Sequence, residues 1–143
     1  MEYSQSGEAL TEQFESCRLT AYRDQVGKLT IGWGHTGPEV VEGLVWTQEQ
    51  ANAQLQIDIQ WAADCVNKAV DVALTQPEFD AITDLCFNIG CANFSGSTLL
   101  RLLNSGDIAE AANQFAIWDH AGGQAVAGLL RRRLAEAAEF EET

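Results

Sequence analysis

Apolar residues recur along the chain with two different periods, and the change of period divides it. Over residues 6–17, Leu10, Phe14 and Cys17 fall at i, i+4 and i+7, one stripe of an amphipathic helix. Residues 19–35 read as strand. Thr20-Ala21-Tyr22 is followed by the turn-like Asp24-Gln25-Val26-Gly27 and then by Leu29-Thr30-Ile31-Gly32-Trp33, which predicts a small hairpin or meander. A loop punctuated by Thr36-Gly37-Pro38 and Gly43 comes next. Thr47-x-x-Gln50 is a capping box opening a helix of about 24 residues, with Ala51, Leu55, Ile59, Ala62, Val66 and Ala69 on its apolar face. Leu55, Ile57, Ile59 and Trp61 also alternate as in a strand, but length, cap and alanines favour helix. Such a helix is roughly 36 Å long.

Shorter helices follow. Thr75-x-x-Glu78, with Pro77 in the first turn, starts one that ends at Gly90. Ser97 to Asn104 forms another, stopped at Gly106. Asp107 caps a helix running to about Trp118, Gly122-Gly123 breaks the chain, and residues from about Gly128 to Phe140 form the last helix. The reading is α+β, mostly helical, with the sheet confined to the N-terminal third. It predicts a single domain over 1–143, divided into a hairpin lobe over 1–46, a connecting helix over 47–70 and a helical lobe over 71–143.

Composition narrows the function. The chain has 143 residues, 46% of them hydrophobic, enough for a packed core. Eight basic against 21 acidic residues give a formal charge of −13, which disfavours nucleic acid as a partner. The apolar runs are too short to span a membrane, and Met1 to Gly7 lacks the basic start and apolar stretch of a signal peptide. Four cysteines without a Cys-x-x-Cys give no local support for a zinc or redox motif. Buried thiols are the better reading of the composition, and one disulfide the lesser.

Glu15, Asp24 and Thr30 carry the candidate chemistry. Glycosidic bonds are cleaved by a proton donor on one side and a carboxylate on the other. Partial burial beside Phe14 can keep a donor protonated. A threonine hydroxyl beside the second carboxylate can orient water. By composition and spacing alone the trio is weak, since a helical glutamate is usually a solvated surface residue.

The surrounding residues add a resemblance. Phe14-Glu15-x-x-Arg18-Leu19-x-Ala21-Tyr22-x-Asp24-x-x-Gly27-x-x-Thr30-Ile31-Gly32-Trp33-Gly34-His35-Thr36 resembles the active-site stretch of phage-type lysozymes, the endolysins of glycoside hydrolase family 24. The likeness continues through Leu74-Thr75-Gln76-x-x-Phe79-Asp80-Ala81, Phe87-Asn88-Ile89-Gly90, Ser97-Thr98-Leu99-Leu100 and Asn104-x-Gly106-Asp107, and ends with Ala121-Gly122-Gly123 and Gly128-Leu129-x-Arg131-Arg132-Arg133. The resemblance implies a lysozyme-like fold with a peptidoglycan groove between its lobes. It implies hydrolysis of the β-1,4 bond between N-acetylmuramic acid and N-acetylglucosamine. Glu15 would be the general acid, with Asp24 and Thr30 handling the water. It implies no metal or organic cofactor, and a monomer made in the host cytoplasm that acts at the cell wall.

Further assignments stand beside it. Gly34, Trp118, Gly122 and Gly123 are groove candidates. Like charges clustered at a helix start call for an acidic partner for at least one of the three arginines; the resemblance implies that one of them approaches the acid, and Arg132 is the candidate. His35 reads as a structural histidine paired with a carboxylate rather than a base. If any cysteines bond in such a fold, Cys65 and Cys91 are the pair. Two rivals stand beside hydrolysis: a wall-binding or scaffold module of the same fold without turnover, and a lytic transglycosylase releasing an anhydro sugar. The intact trio opposes the first, and Asp24 the second. The charge departs from the basic character of many phage lysozymes and predicts repulsion from an anionic wall at low salt.

Overall fold

The computed structural model describes residues 1–142. Helix α1 covers Gln5–Phe14, strands β1 and β2 cover Arg18–Arg23 and Leu29–Gly32, and α2 covers Gln48–Ala69. Then come α3 (Gln76–Ile89), α4 (Cys91–Ser95), α5 (Thr98–Asn104), α6 (Ile108–Asn113), a 3₁₀ turn (Phe115–Ile117), strands β3 (His120–Ala121) and β4 (Gln124–Ala125), and α7 (Ala127–Phe140). Backbone contacts group these into two units, one of residues 11–60 and one of residues 1–10 with 61 onward. Among the described residues no helix is long and apolar enough to cross a membrane.

In the 11–60 unit, β1 and β2 pair antiparallel, with Tyr22 opposite Thr30 and an irregularity between Arg18 and Tyr22. The other edge of β1 is also used: Ala21 N–H donates to Leu44 O and Trp46 N–H to Leu19 O, each within 2.9 Å. The segment read as a loop from sequence therefore ends by pairing with the hairpin. Ile31, Val40, Ala51, Leu55 and Ile59 are the unit's buried aliphatic residues. The capping box of α2 is reciprocal, with Gln50 N–H donating to Thr47 Oγ1 and Thr47 N–H to Gln50 Oε1.

In the other unit α3 packs on α7. Phe79, Ile82, Leu85, Phe94, Leu99, Leu103 and Phe115 are fully buried. The predicted capping box at Thr75 and Glu78 is present, and Gly90 closes α3. Three expectations are corrected here. The helix after Asp107 ends at Asn113 and tightens into the 3₁₀ turn instead of running to Trp118. The five-residue α4 lies where no helix was expected. The sheet is not confined to the N-terminal third, because Gly122-Gly123 turns the β3–β4 hairpin. Both glycines have positive φ, 58° and 79°, as the tight turn of a two-residue hairpin demands.

Candidate active site

The trio Glu15, Asp24 and Thr30 lies within the 11–60 unit. Helix α1 stops at Phe14, one residue before Glu15, rather than continuing to residue 17. Glu15 N–H still donates to Thr11 O at 2.9 Å, so the last helical turn fixes its backbone while the side chain sits at the exit, half-buried. Gly34, just beyond β2, meets it there. A Cβ at Gly34 would stand 3.8 Å from Glu15 Oε2, and φ of +88° makes any larger residue strained.

The hairpin turn builds the second half of the site from main-chain groups. Asp24 Oδ1 accepts from Val26 N–H at 3.0 Å and from Lys28 N–H at 2.8 Å. Both amides fall on one oxygen, which leaves the lone pairs of Oδ2 available to another donor. The carbonyl of Lys28 in turn accepts from Asp24 N–H at 2.9 Å and from Thr30 Oγ1 at 3.0 Å. One peptide carbonyl thus ties the carboxylate and the hydroxyl to each other. Thr30 is buried, with its hydroxyl proton committed to Lys28 O, so its oxygen can only accept from a further donor such as water.

His35 holds the end of this hairpin. Its Nδ1 lies 2.8 Å from Asp58 on α2 and its Nε2 lies 2.5 Å from Glu39. Ile31 and His35 exchange backbone hydrogen bonds, and the imidazole lies against Trp46 with ring centroids 5.6 Å apart. Burial works against a charged ring, but the hydrogen bonds to Glu39 and Asp58 outweigh it, and the His35 pKa is raised above 6.5. The hydrogen bond from His35 lowers the Glu39 pKa below 4.5. A raised histidine contributes stability that is complete below its unfolded value and is lost as pH climbs through its folded value. A lowered carboxyl contributes stability that is lost as pH falls through its folded value. The contribution of this pair to stability is therefore expected to be complete between about pH 4.5 and 6.5 and to decline toward pH 8. His35→Asn makes the decline of the thermal midpoint between pH 6 and 8 shallower. Thermal melts in a pH series check this, and an unchanged slope in the variant would contradict it.

The remaining predicted residues belong to the other unit. Trp118 follows the 3₁₀ turn, half-buried, and Gly122 and Gly123 are exposed at the β3–β4 turn. Arg132 is buried and forks onto Asp84, Nε to Oδ2 at 3.0 Å and an Nη to Oδ1 at 2.9 Å. Arg133, fully buried, donates to Glu136 Oε2 at 3.0 Å and to Asn88 Oδ1 at 2.9 Å. Burial, followed by the nearby Asp84, raises the Glu136 pKa well above the ordinary carboxylate range. Sequence reasoning missed Asp58 and Glu39 as partners of His35. Glu39 had a signal, its place four residues after the histidine; Asp58, on a distant helix, had none.

A family model described as phage lysozyme matches residues 12–136, which includes the whole of the site just described. The chain belongs to the phage lysozyme family. An endolysin from Acyrthosiphon pisum secondary endosymbiont phage 1 is 43% identical over 145 residues, covering 99% of both chains. The endolysin of Bacillus phage PZA is 41% identical across 98% of this chain, which spans only 55% of that relative's length. Among solved structures, a lysozyme variant from phage P22 superposes with a TM-score of 0.93 at 40% identity, covering 99% of each chain. The α+β, mostly helical reading agrees with this phage lysozyme fold.

Proposed function

We infer that the chain is a peptidoglycan-cleaving glycoside hydrolase that hydrolyses the β-1,4 bond between N-acetylmuramic acid and N-acetylglucosamine at the bacterial cell wall. The observation that supports this most directly is the Lys28 peptide. It joins Asp24 to Thr30 while Oδ2 of the carboxylate and the hydroxyl oxygen of Thr30 remain able to accept hydrogen bonds. Those are two acceptors for the two protons of one water. Glu15, half-buried beside Gly34, is the proton donor to the leaving oxygen. Asp24 accepts a proton from the water as it attacks the anomeric carbon from the opposite face, which inverts that centre. The water takes the glycosyl carbon, the proton of Glu15 goes to the departing sugar, and Asp24 returns its proton to solvent.

Digestion of purified peptidoglycan tests the reading. The expected products carry reducing ends heavier by one water than anhydro sugars. NMR of the first-formed product is expected to show the α-anomer. Anhydro products would assign the chain to lytic transglycosylases. An initial β-anomer would make Asp24 a direct nucleophile. Wall binding without any product would favour the module reading, which the −13 charge alone supports.

A further inference from the structure

Three of the four cysteines meet at one point in the unit of residues 1–10 and 61 onward. Cys65 on α2 and Cys91 at the start of α4 are joined by a disulfide. Cys86 on α3 is a free, buried thiol. The three sulfur atoms lie within 4.8 Å of one another. Ser95 Oγ is 3.9 Å from Cys65 Sγ and 3.8 Å from Cys91 Sγ. None of these residues takes part in the hydrolysis inferred above, whose acid and water-handling groups are all in the other unit.

A disulfide needs two sulfurs, and a buried helix position can be filled by any small apolar side chain, so the third sulfur calls for an account. Burial pushes the Cys86 thiol up to about 12. It is thus protonated at neutral pH and a poor nucleophile toward the neighbouring disulfide. A metal cation can take the place of that proton, because a coordinating thiol is deprotonated outright. The dimensions agree. Three thiolates about 2.3 Å from one metal stand about 4 Å apart in a trigonal plane. Opening the Cys65–Cys91 bond lets two of the sulfurs separate to that spacing, and Cys86 has less than about 1 Å to close. No histidine or carboxylate joins the group among the described residues. Three sulfurs without a fourth strong donor suit a soft cation that accepts three-coordination, and Zn(II) prefers four ligands.

We propose that, once a dithiol reduces the Cys65–Cys91 disulfide, Cys65, Cys86 and Cys91 form a three-thiolate site for Cu(I). In the reduction the disulfide receives two electrons and two protons, and the dithiol closes to its own disulfide. Cu(I) then displaces the thiol protons to solvent. Disulfide and metal exclude each other, and each ties α2 to α4, the metal adding α3.

The test uses the full chain reduced with a phosphine, which is then removed without oxygen. Cu(I) is presented in competition with a chromophoric chelator. Reduced wild type and reduced Cys17→Ser are expected to retain one Cu(I) per chain after desalting and to melt higher than the metal-free reduced protein. The disulfide-closed protein retains none, and reduced Cys86→Ala and Cys86→Ser bind at least tenfold more weakly. Equal retention by the Cys86 variants, loss in Cys17→Ser, or no retention by reduced wild type would overturn the site. Retention of Zn(II) in preference to Cu(I) would overturn the choice of cation. If the reduced chain unfolds, refolding on addition of Cu(I) in wild type but not in Cys86→Ser supports the site. Metal uptake without refolding overturns it. Lysis of peptidoglycan is read separately, so a chain without lytic activity still answers the question.

Discussion

Glu15→Gln is expected to remove wall-lytic activity by a factor of about 10²–10⁴ while the fold persists. The amide keeps the shape of the carboxyl and its place beside Gly34, but it has no proton to give to the leaving oxygen. The backbone bond from Glu15 N–H to Thr11 O does not involve the side chain, so the exit of α1 is preserved. Turbidity clearing of wall suspensions, with circular dichroism as the control for folding, measures the loss. A well-folded variant that keeps more than a tenth of wild-type activity would remove Glu15 from the acid role. The same variant separates chemistry from affinity, since its sedimentation with insoluble peptidoglycan should match that of wild type.

The second large effect concerns stability and lies in the other unit. Arg133 and Glu136 are both fully buried, with Arg133 Nε 2.7 Å from Glu136 Oε1. Removing Arg133 leaves Glu136 with only the longer contact to Arg132, Nε to Oε2 at 3.7 Å, and breaking a buried ion pair costs about 3–5 kcal/mol. Arg133→Met should therefore lower the thermal midpoint by about 10 °C or more. The carboxyl left behind is already pushed up by burial, so the folded variant holds its proton more tightly than the unfolded chain does. The deficit should grow as pH rises from 5 to 8. The double variant Arg133→Met/Glu136→Leu, which removes both charges, should recover most of the loss. Denaturant unfolding of the three proteins measures these differences. A single-variant cost below about 1 kcal/mol would mean that the pair contributes little to the fold.

Elements with a strong period and a cap were legible in the sequence. The boxes at Thr47 and Thr75 mark the starts of α2 and α3 because capping is a side-chain signature. The β3–β4 hairpin was not legible, since strands of two residues carry no alternation and Gly122-Gly123 reads equally well as a break. Nor was the end of α1. The stripe through Cys17 continues past Phe14, but β1 begins at Arg18 and takes the chain away. For the candidate site, residue types and spacing alone were weak, and the long ordered motif around them supplied the direction. The partners of Asp24 lay beyond any such reading, because they are peptide groups. His35 was legible as a paired histidine, but Asp58 reaches it only through the packing of α2 on the hairpin.

The role of Lys28 bears on how such a protein can drift. Its N–H and its C=O hold Asp24 and Thr30, while its side chain is exposed and takes no part in those bonds. Any residue except proline supplies the same two groups. Position 28 is therefore silent to side-chain exchange and sensitive to backbone chemistry. Mutational tolerance there would mislead a survey that equates variability with irrelevance. Two of the most geometry-critical atoms in this half of the molecule belong to a residue whose identity scarcely matters.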